Sequence, residues 1–456
     1  MIFRNIKKYN TSTVIEYDEG ASLSYFNLLL ESDKLFSAIN HRCLIFSLSK
    51  NIPESLIGYV SFINNKAVPL MLDADIDNDL LNNLLNIYKP EYIWLPKNKA
   101  AHLSNLEEIY SGEEYTLLKT NNAPCDLHKD LALLLTTSGS TGSPKLVRLS
   151  YKNLQSNAES IAEYLEIDEN ERPITSLPMY YSFGLSVINS HLLKGATILL
   201  TDKSIMQKEF WTFAKEQKAT SLSGVPYTYE MLNRLRFTRM DFPDLKNLCQ
   251  AGGKLNNKLI ETFATYAKEK EKRFFVMYGQ TEATARMSYM PYKETLNKIG
   301  SVGIAIPGGE FSLGADGELI YKGDNVSMGY AECTNDLVKT DENNGVLITG
   351  DLAKVDDDGY YYIVGRKKRF IKIFGNRVNL DAAEQLLKEI TPDVACVGVD
   401  DKMTICIVDE SKQQDVKSFI SKKLSIHSSA FLVKVMGEIP KNNSGKILYA
   451  QLQCEI

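Results

Sequence analysis

LLLTTSGSTGSPKLVRLS, Leu133 to Ser150, decides how the chain is read. An apolar run enters a loop of glycines and hydroxyl side chains. The loop closes with Pro144 and Lys145, and an alternating segment leaves it. A glycine-rich loop of this kind raises the question of phosphate. The familiar P-loop reads G-x-x-x-x-G-K-[ST] and opens a helix, with the hydroxyl after the lysine bound to magnesium. Here Leu146 follows the lysine, so no hydroxyl stands in the metal position, and LVRLS alternates like a strand. Walker chemistry is excluded. By itself such a loop is more often a solvated turn, and its meaning depends on what surrounds it.

Upstream of the loop, short apolar strands alternate with amphipathic helices. LSYFNLLLESDKLFSAI has helical spacing, CLIFSLS reads as a buried strand, ESLIGYVSFINN as a helix, and KAVPLML and EYIWLP as further strands around the helix LLNNLLNIYKP. The rhythm resumes downstream with the helix NLQSNAESIAEYL, the strands ITSLP and ATILLT, the helix FWTFAKEQKA and the strand TSLSGVP. Strands alternating with helices predict parallel-type sheets covered on both faces. Near Gly300 the texture changes to short strands broken by Gly and Asp-Gly turns, the signature of a small antiparallel barrel or sandwich. After GRKKRFIKIFGNRVN helix and strand return, and DAAEQLLKEI places Asp381 and Glu384 at capping-box spacing. The expected organisation is a large α/β N-terminal domain, residues 1–366 with 300–366 as its β-barrel part, and a small α+β C-terminal domain, residues 369–456.

With 456 residues the chain exceeds one compact core. Its 44% hydrophobic and 24% charged residues are those of a globular protein. A net charge of −5, with GRKKR as the one basic cluster, argues against nucleic acid. The N-terminal MIFRNIKKYN lacks the apolar core of a signal peptide, and no apolar run approaches a membrane span. Seven cysteines without a C-x-x-C pair predict free thiols in a reducing cytoplasm. The five histidines do not cluster with cysteines or carboxylates at ligand spacing, so no structural zinc site is expected.

Four separated segments belong together: TTSGSTGSPK; MYGQTEA at Met277 to Ala283; TGDLAKVDDDGYYYIVGRKKRFIKIFGNRVN at Thr349 to Asn379; and PKNNSGKI at Pro440 to Ile447. Each alone has a bland reading as a turn or a solvated basic face. In this order and spacing they resemble the adenylate-forming, AMP-producing ligase superfamily, which includes acyl- and aryl-CoA synthetases, the adenylation domains of peptide synthetases, and luciferases. The resemblance runs from about Leu23 to the C-terminus. It implies that the opening loop wraps the β- and γ-phosphates of ATP. Gly139 and Gly142 would let backbone amides approach, Thr137, Ser138, Ser140 and Thr141 would donate hydrogen bonds, and Lys145 would supply charge. It further implies that Tyr278, next to Gly279, stacks on adenine against Gly252 and Gly253 of QAGGKL. Thr281 would meet the α-phosphate and Glu282 would hold Mg²⁺. Asp351 would take the ribose hydroxyls, with Arg366 near the ribose or phosphate.

By the same resemblance Lys446 is the catalytic lysine, bridging the substrate carboxylate and the α-phosphate. It lies on the small domain, so chemistry calls for closure about a hinge at Lys368. A swing would then bring KIFGNRV, with Lys372 and Gly375, to line a tunnel for a phosphopantetheine thiol. That thiol belongs to CoA or to a carrier protein, and it displaces AMP.

SLPMYYSFGLSVINSHLLKG matches the superfamily's substrate side with departures. Tyr181 stands where many relatives have histidine. Phe183-Gly184 stands where amino-acid-activating relatives have Phe-Asp, whose carboxylate binds the α-ammonium. An ammonium buried without that partner is costly, so an uncharged acyl or aryl acid is the expected substrate. Tyr180, Tyr181, Phe183, Gly184, Val225, Pro226 and Tyr227 are the candidate pocket wall. Tyr449 stands where relatives usually carry arginine. The chain is also short for the superfamily, as in a compact stand-alone ligase. Two other readings remain: an amino-acid-activating ligase that loads a carrier protein, and a non-catalytic nucleotide-binding scaffold. Intact Lys145, Glu282, Asp351, Arg366 and Lys446 argue against the scaffold.

Overall fold

The computed structural model describes residues 4–17, 20, 22–103, 105–136, 145–367, 369–374, 376–442 and 445–454. They divide into two compact units. One comprises Met1–Ile299, Gly303–Glu310 and Tyr321–Leu347, and the other Gly300–Val302, Phe311–Ile320 and Ile348–Ile456.

The larger unit is built on two mixed sheets. In the eight-stranded sheet, Leu44–Ser49 pairs in parallel with Val68–Asp73 on one side and Tyr92–Pro96 on the other. The helices Pro53–Asn64 and Asn78–Tyr88 make the crossovers. Pro53 starts the first of them at a position where a missing N–H costs nothing, and Asp77 caps the second through the amides of Asp79 and Leu80. Leu131–Thr136 continues the parallel set against Val68–Asp73. Leu146–Ser150 then returns antiparallel, as the strand reading of LVRLS requires, with Thr136 opposite Leu146. The parallel pattern expected from the alternation therefore holds in the sheet's centre, while its edges are antiparallel. A connection of nine residues is too short for a crossover.

The nine-stranded sheet repeats this logic. Arg273–Tyr278, Asn247–Gln250, Ser221–Gly224, Pro173–Ile174, Ile198–Leu200 and Thr13–Tyr17 run parallel, and Ser22–Ser24, Ser288–Tyr289 and Ile304–Ala305 are antiparallel at its margins. One apolar core joins both sheets through four helices: Tyr25–Ser37, Pro53–Asn64, Tyr151–Tyr164 and Ser182–Lys194. Leu56, Tyr59, Phe62, Ile161, Leu185 and Leu192 are fully or almost fully buried, each worth about 1.5–3 kcal/mol of burial for residues of this size. Polar groups carried into that core find partners, as Tyr59 does by donating to Asn189 Oδ1 at 2.9 Å.

In the smaller unit, Val394–Val399 and Lys402–Ile407 form a hairpin, and Phe431–Val435 lies parallel to its second strand. The helices Leu380–Leu387 and Gln413–Leu424 pack on this sheet around Ile405, Val416, Ile420 and Phe431. The β-rich stretch expected after Gly300 is an open four-stranded sheet of Gly309–Leu313, Glu318–Gly323, Val346–Val355 and Tyr361–Arg366. The capping box expected of Asp381 and Glu384 does not form. Asn379 caps Leu380–Leu387 by accepting from Ala382 N at 3.1 Å, and both carboxylates turn to Arg369 instead.

Candidate active site

Thr137, Ser138, Gly139, Ser140, Thr141 and Gly142 lie outside the described residues, as do Lys368 and Gly375. The strands that hold the ends of the opening loop are described, and so is Lys145. Its ammonium sits 3.7 Å from the centroid of the Tyr330 ring and 4.0 Å from Glu332 Oε1. Tyr330 reaches it because Tyr330–Ala331 adds to the sheet edge antiparallel to Leu146–Ser150, with Tyr330 opposite Val147. The Tyr330 hydroxyl donates to Glu282 Oε1 at 2.9 Å. Burial raises the Tyr330 phenol well above its ordinary range and the Glu282 carboxylate adds to this, so the group is a proton donor at neutral pH. One tyrosine thus joins the loop lysine to the carboxylate expected to hold metal.

Tyr330 is itself held from below by Arg148. That guanidinium is fully buried; it donates to the carbonyls of Tyr330 (3.0 Å), Lys339 (2.6 Å) and Met328 (2.9 Å) and pairs with Glu342 at 2.5 Å. Arg is suited to this because its fork of donors satisfies several acceptors from one rigid plane.

Thr281–Ala283 is a short 3₁₀ turn after the strand that ends at Tyr278. Thr281 is buried, with its Oγ1 3.1 Å from Ser182 Oγ at the head of the helix Ser182–Lys194. Ser327 N donates to the Glu282 carbonyl at 2.8 Å, and Asn325 Nδ2 donates to the carbonyls of Ala283 and Arg286 at 2.8 and 3.0 Å. Gly279 must be glycine here, because a Cβ would overlap the Ala285 carbonyl. The turn is therefore fixed from three sides, with Tyr278 half-buried at its entrance.

The expected pocket wall comes together around Gly252. At φ +85 this residue is in left-handed backbone, and a Cβ on it would lie 2.7 Å from the Tyr181 hydroxyl and 3.0 Å from Val225 Cγ1. Gly253 is as close to Pro226, at 3.1 Å from its Cγ. Tyr181 and Phe183 meet edge to face, with centroids 6.4 Å apart. Tyr181, Val225 and Pro226 thus adjoin the two glycines expected to wall the adenine, and Phe183 packs behind Tyr181. Tyr180 instead donates its hydroxyl to Asp73 Oδ2 at 2.7 Å, and Tyr227 is exposed. Gly184 is buried, and a Cβ on it would run into the Pro178 carbonyl.

In the smaller unit Asp351 is buried at a strand position directly opposite Arg366, whose Nε lies 3.6 Å from Asp351 Oδ1. Lys372 is exposed on the hairpin Phe370–Ile373 and Asn376–Asn379. Lys446 is half-buried beside the Lys441–Ile447 bridge; its amide donates to Asn442 Oδ1 at 2.9 Å, and its carbonyl accepts from Asn442 N at 2.8 Å.

Tyr449, the departure from arginine, has a structural partner set. The Arg369 guanidinium lies 3.6 Å over its ring, and its hydroxyl donates to Glu384 Oε2 at 2.8 Å. Arg369 also donates to Glu384 Oε1 at 2.8 Å and pairs with Asp381. Burial pushes the Glu384 carboxyl up and the Arg369 guanidinium holds it back. Tyr449→Phe keeps the ring under Arg369 but takes a donor from a buried carboxylate. We expect it to cost the smaller unit about 1.5–3 kcal/mol in urea unfolding. An unchanged midpoint would show that the hydroxyl is dispensable.

Sequence reasoning missed Tyr330, Arg148 and Ser182. Their only signal is chemical type, a tyrosine in MGYAE and an arginine inside an apolar strand. It also missed one convergence of ligand-type side chains. Against the expectation that histidines avoid such clusters, His41, Cys43 and Glu91 present donor atoms within 4.8 Å of one another.

The comparisons with known proteins follow the same lines. The family model described as AMP-binding enzyme matches residues 2–331. A long-chain-fatty-acid–CoA ligase of Yersinia pestis is 30% identical over 73% of this chain and 63% of its own length; the matched stretch therefore spans less than two thirds of that relative. A 2-succinylbenzoate–CoA ligase of Staphylococcus epidermidis is 30% identical over 81% of this chain and 82% of its own. Among solved structures, the o-succinylbenzoate coenzyme A synthetase of Bacillus subtilis in complex with AMP shares the fold at a TM-score of 0.81. It covers 99% of this chain and 97% of its own at 20% identity. With its loop-bearing hairpin, its Thr281–Glu282 turn and a family match over most of its length, the chain belongs to the AMP-binding enzyme family.

Proposed function

We propose that the chain is an ATP-dependent acid–thiol ligase: a carboxylic acid attacks the α-phosphate of ATP to give acyl-AMP and pyrophosphate, and a thiol then takes the acyl group and releases AMP. The observation that carries this reading is the chain of contacts Lys145–Tyr330–Glu282 with Thr281 beside it. It gathers a cation, a carboxylate and a hydroxyl at the end of the phosphate-type loop. Lys145 would meet the leaving phosphates and Thr281 the α-phosphate. Tyr278, Gly252 and Gly253 would take adenine, and Asp351 and Arg366 the ribose.

The donor set fits magnesium, which is held by one or two carboxylates together with substrate phosphates. Glu282 would hold it, and it would neutralise charge on the phosphates. Tyr330→Phe removes one hydrogen bond from Glu282 and leaves the ring over Lys145. We expect the magnesium concentration for half-maximal activity to rise about three- to tenfold, matching roughly 1 kcal/mol. An unchanged magnesium requirement would separate Tyr330 from the metal.

The two relatives are named as CoA ligases, which supports CoA as the acceptor over a carrier protein. The acid is an acyl or aryl acid without an α-ammonium, because Gly184 offers no carboxylate and its surroundings leave no room for one. Residues 369–456 act as the closing domain that delivers Lys446, with the hinge at Lys368. None of the seven cysteines is in a disulfide, which suits a cytoplasmic enzyme, and among the described residues no helix is long and apolar enough to cross a membrane.

The test is pyrophosphate release from ATP and magnesium with pooled acids (acyl, aryl, hydroxy and amino), with hydroxylamine to trap the adenylate. Release with an acyl or aryl pool is the expected result. Release with amino acids alone would overturn the reading of Gly184, and ATP binding without release from any pool would favour the scaffold.

A further inference from the structure

His41 and Cys43 lie just before the strand Leu44–Ser49, and Glu91 just before Tyr92–Pro96. These strands are parallel neighbours, with Ile45 opposite Tyr92, so Glu91 meets the sequence-neighbouring pair His41 and Cys43 at the strand starts. The opening loop leaves the far end of the same sheet. A six-residue strand of about 20 Å separates the two edges.

The His41 ring is bonded on both sides, Nδ1 at 2.8 Å from the Ile39 carbonyl and Nε2 at 2.8 Å from Glu91 Oε2. Two features go beyond an ordinary ion pair. Glu91 is 6% exposed, yet its second oxygen, Oε1, is buried and has no hydrogen-bond partner among the described residues. The Cys43 thiol beside it is fully buried and within 4.8 Å of both other donor atoms. A carboxylate oxygen buried without a donor is costly, and a cation would satisfy it.

We propose that His41, Cys43 and Glu91 form a zinc site that joins the starts of these two strands. The donor set of imidazole nitrogen, thiolate sulfur and carboxylate oxygen is the mixture zinc accepts. The Ile39 carbonyl would hold the Nδ1 proton and orient Nε2 toward the metal, the usual arrangement around a ligating histidine. Donors about 2.0 Å from a tetrahedral ion stand about 3.3 Å apart, so His41 and Glu91 would open by roughly half an ångström. Zinc with one thiolate, one carboxylate and a neutral imidazole carries no net charge, which suits a site whose Cys43 and Glu91 are buried. On binding, Cys43 releases its thiol proton, and the proton that His41 shares with Glu91 also leaves. His41 is the solvent-facing member, its side chain 45% exposed, and gives the ion its way in.

The experiment uses the full chain, stripped with chelator and titrated with zinc chloride against a chromophoric competitor, with bound metal quantified after dialysis. The expected result is one zinc per chain. Cys43→Ser, Glu91→Gln and the exposed His41→Ala should each weaken binding at least about tenfold, since even partners behind a ligand contribute that much. Glu282→Gln should bind as the unaltered chain does. His41 is exposed but bonds Glu91 and packs its ring near Tyr92, so an unchanged zinc-free melting temperature must accompany the loss of zinc in His41→Ala to separate it from misfolding. Substoichiometric zinc in the unaltered chain, an affinity in His41→Ala and Cys43→Ser equal to that of the unaltered chain, or loss of zinc in Glu282→Gln alone would each overturn the assignment.

Discussion

Lys446→Ala is expected to slow adenylate formation by about 10²–10³, or roughly 2.7–4 kcal/mol, the range for removing one preorganised donor from a developing anion. A carboxylate and a triphosphate repel one another as they approach, and their transition state gathers more negative charge on the α-phosphate. A lysine delivered to that point acts on the transition state more than on either ground state. The backbone around Lys446 is held by local hydrogen bonds. Asn442 receives its amide and donates to its carbonyl, Gly445 takes the left-handed conformation at φ +74, and Lys441 and Ile447 close the base. Thioester formation from pre-made acyl-adenylate and CoA should stay within about threefold of normal, because in the proposed role the lysine's charge serves only the first half-reaction. Separate rates for the two halves decide the matter. If both fell together, Lys446 would be structural; if adenylation were unchanged, its assigned role would be lost.

The parts of the fold that were legible follow from local chemistry. Pro53 and the periodicity of Pro53–Asn64 mark a helix, the apolar runs around it mark strands, and a strand–helix–strand order permits a parallel sheet. The strand at Leu146 was legible, but its antiparallel direction was not, because alternation alone does not state direction; the nine-residue connection explains it once the pairing is seen. What was hidden is contact at a distance. Glu282 and Tyr330 are 48 residues apart, and nothing in MYGQTEA points to MGYAE. Asp381 and Glu384 have the spacing of a cap, yet a half-buried Arg369 competes for both and an asparagine two residues earlier takes the cap. His41 and Cys43 are separated by one residue, too close to match a ligand spacing such as C-x-x-C. Glu91 joins them only because parallel strands align their starts. The adenylation motifs were readable because four of them recur together. The tyrosine that links two of them, and the arginine that holds that tyrosine, were readable only from coordinates.

Gly184→Asp tests the acid's class through stability. This substitution restores the carboxylate of amino-acid-activating relatives, so a purely chemical view expects a new activity. The packing predicts otherwise. In the helix Ser182–Lys194 every residue from Ser182 to Leu192 is buried, and a Cβ at position 184 would overlap the Pro178 carbonyl and lie 3.1 Å from that of Leu177. An aspartate would bring a carboxylate toward two carbonyl oxygens, with overpacking of about 1–3 kcal/mol and a further cost for a charge without a partner. We expect a loss of at least about 3 kcal/mol in urea unfolding and no activation of glycine or alanine. Gly184→Ala, which adds the overlap without the charge, should lose about 1–3 kcal/mol. An aspartate variant of normal stability would show that the helix can shift, and activation of amino acids by it would make Gly184 a mere omission of the ammonium's partner. Destabilisation of both variants, in that order, means that backbone packing rather than side-chain chemistry alone keeps an α-ammonium out. Changing the acid's class would then require moving Pro178 as well as replacing Gly184.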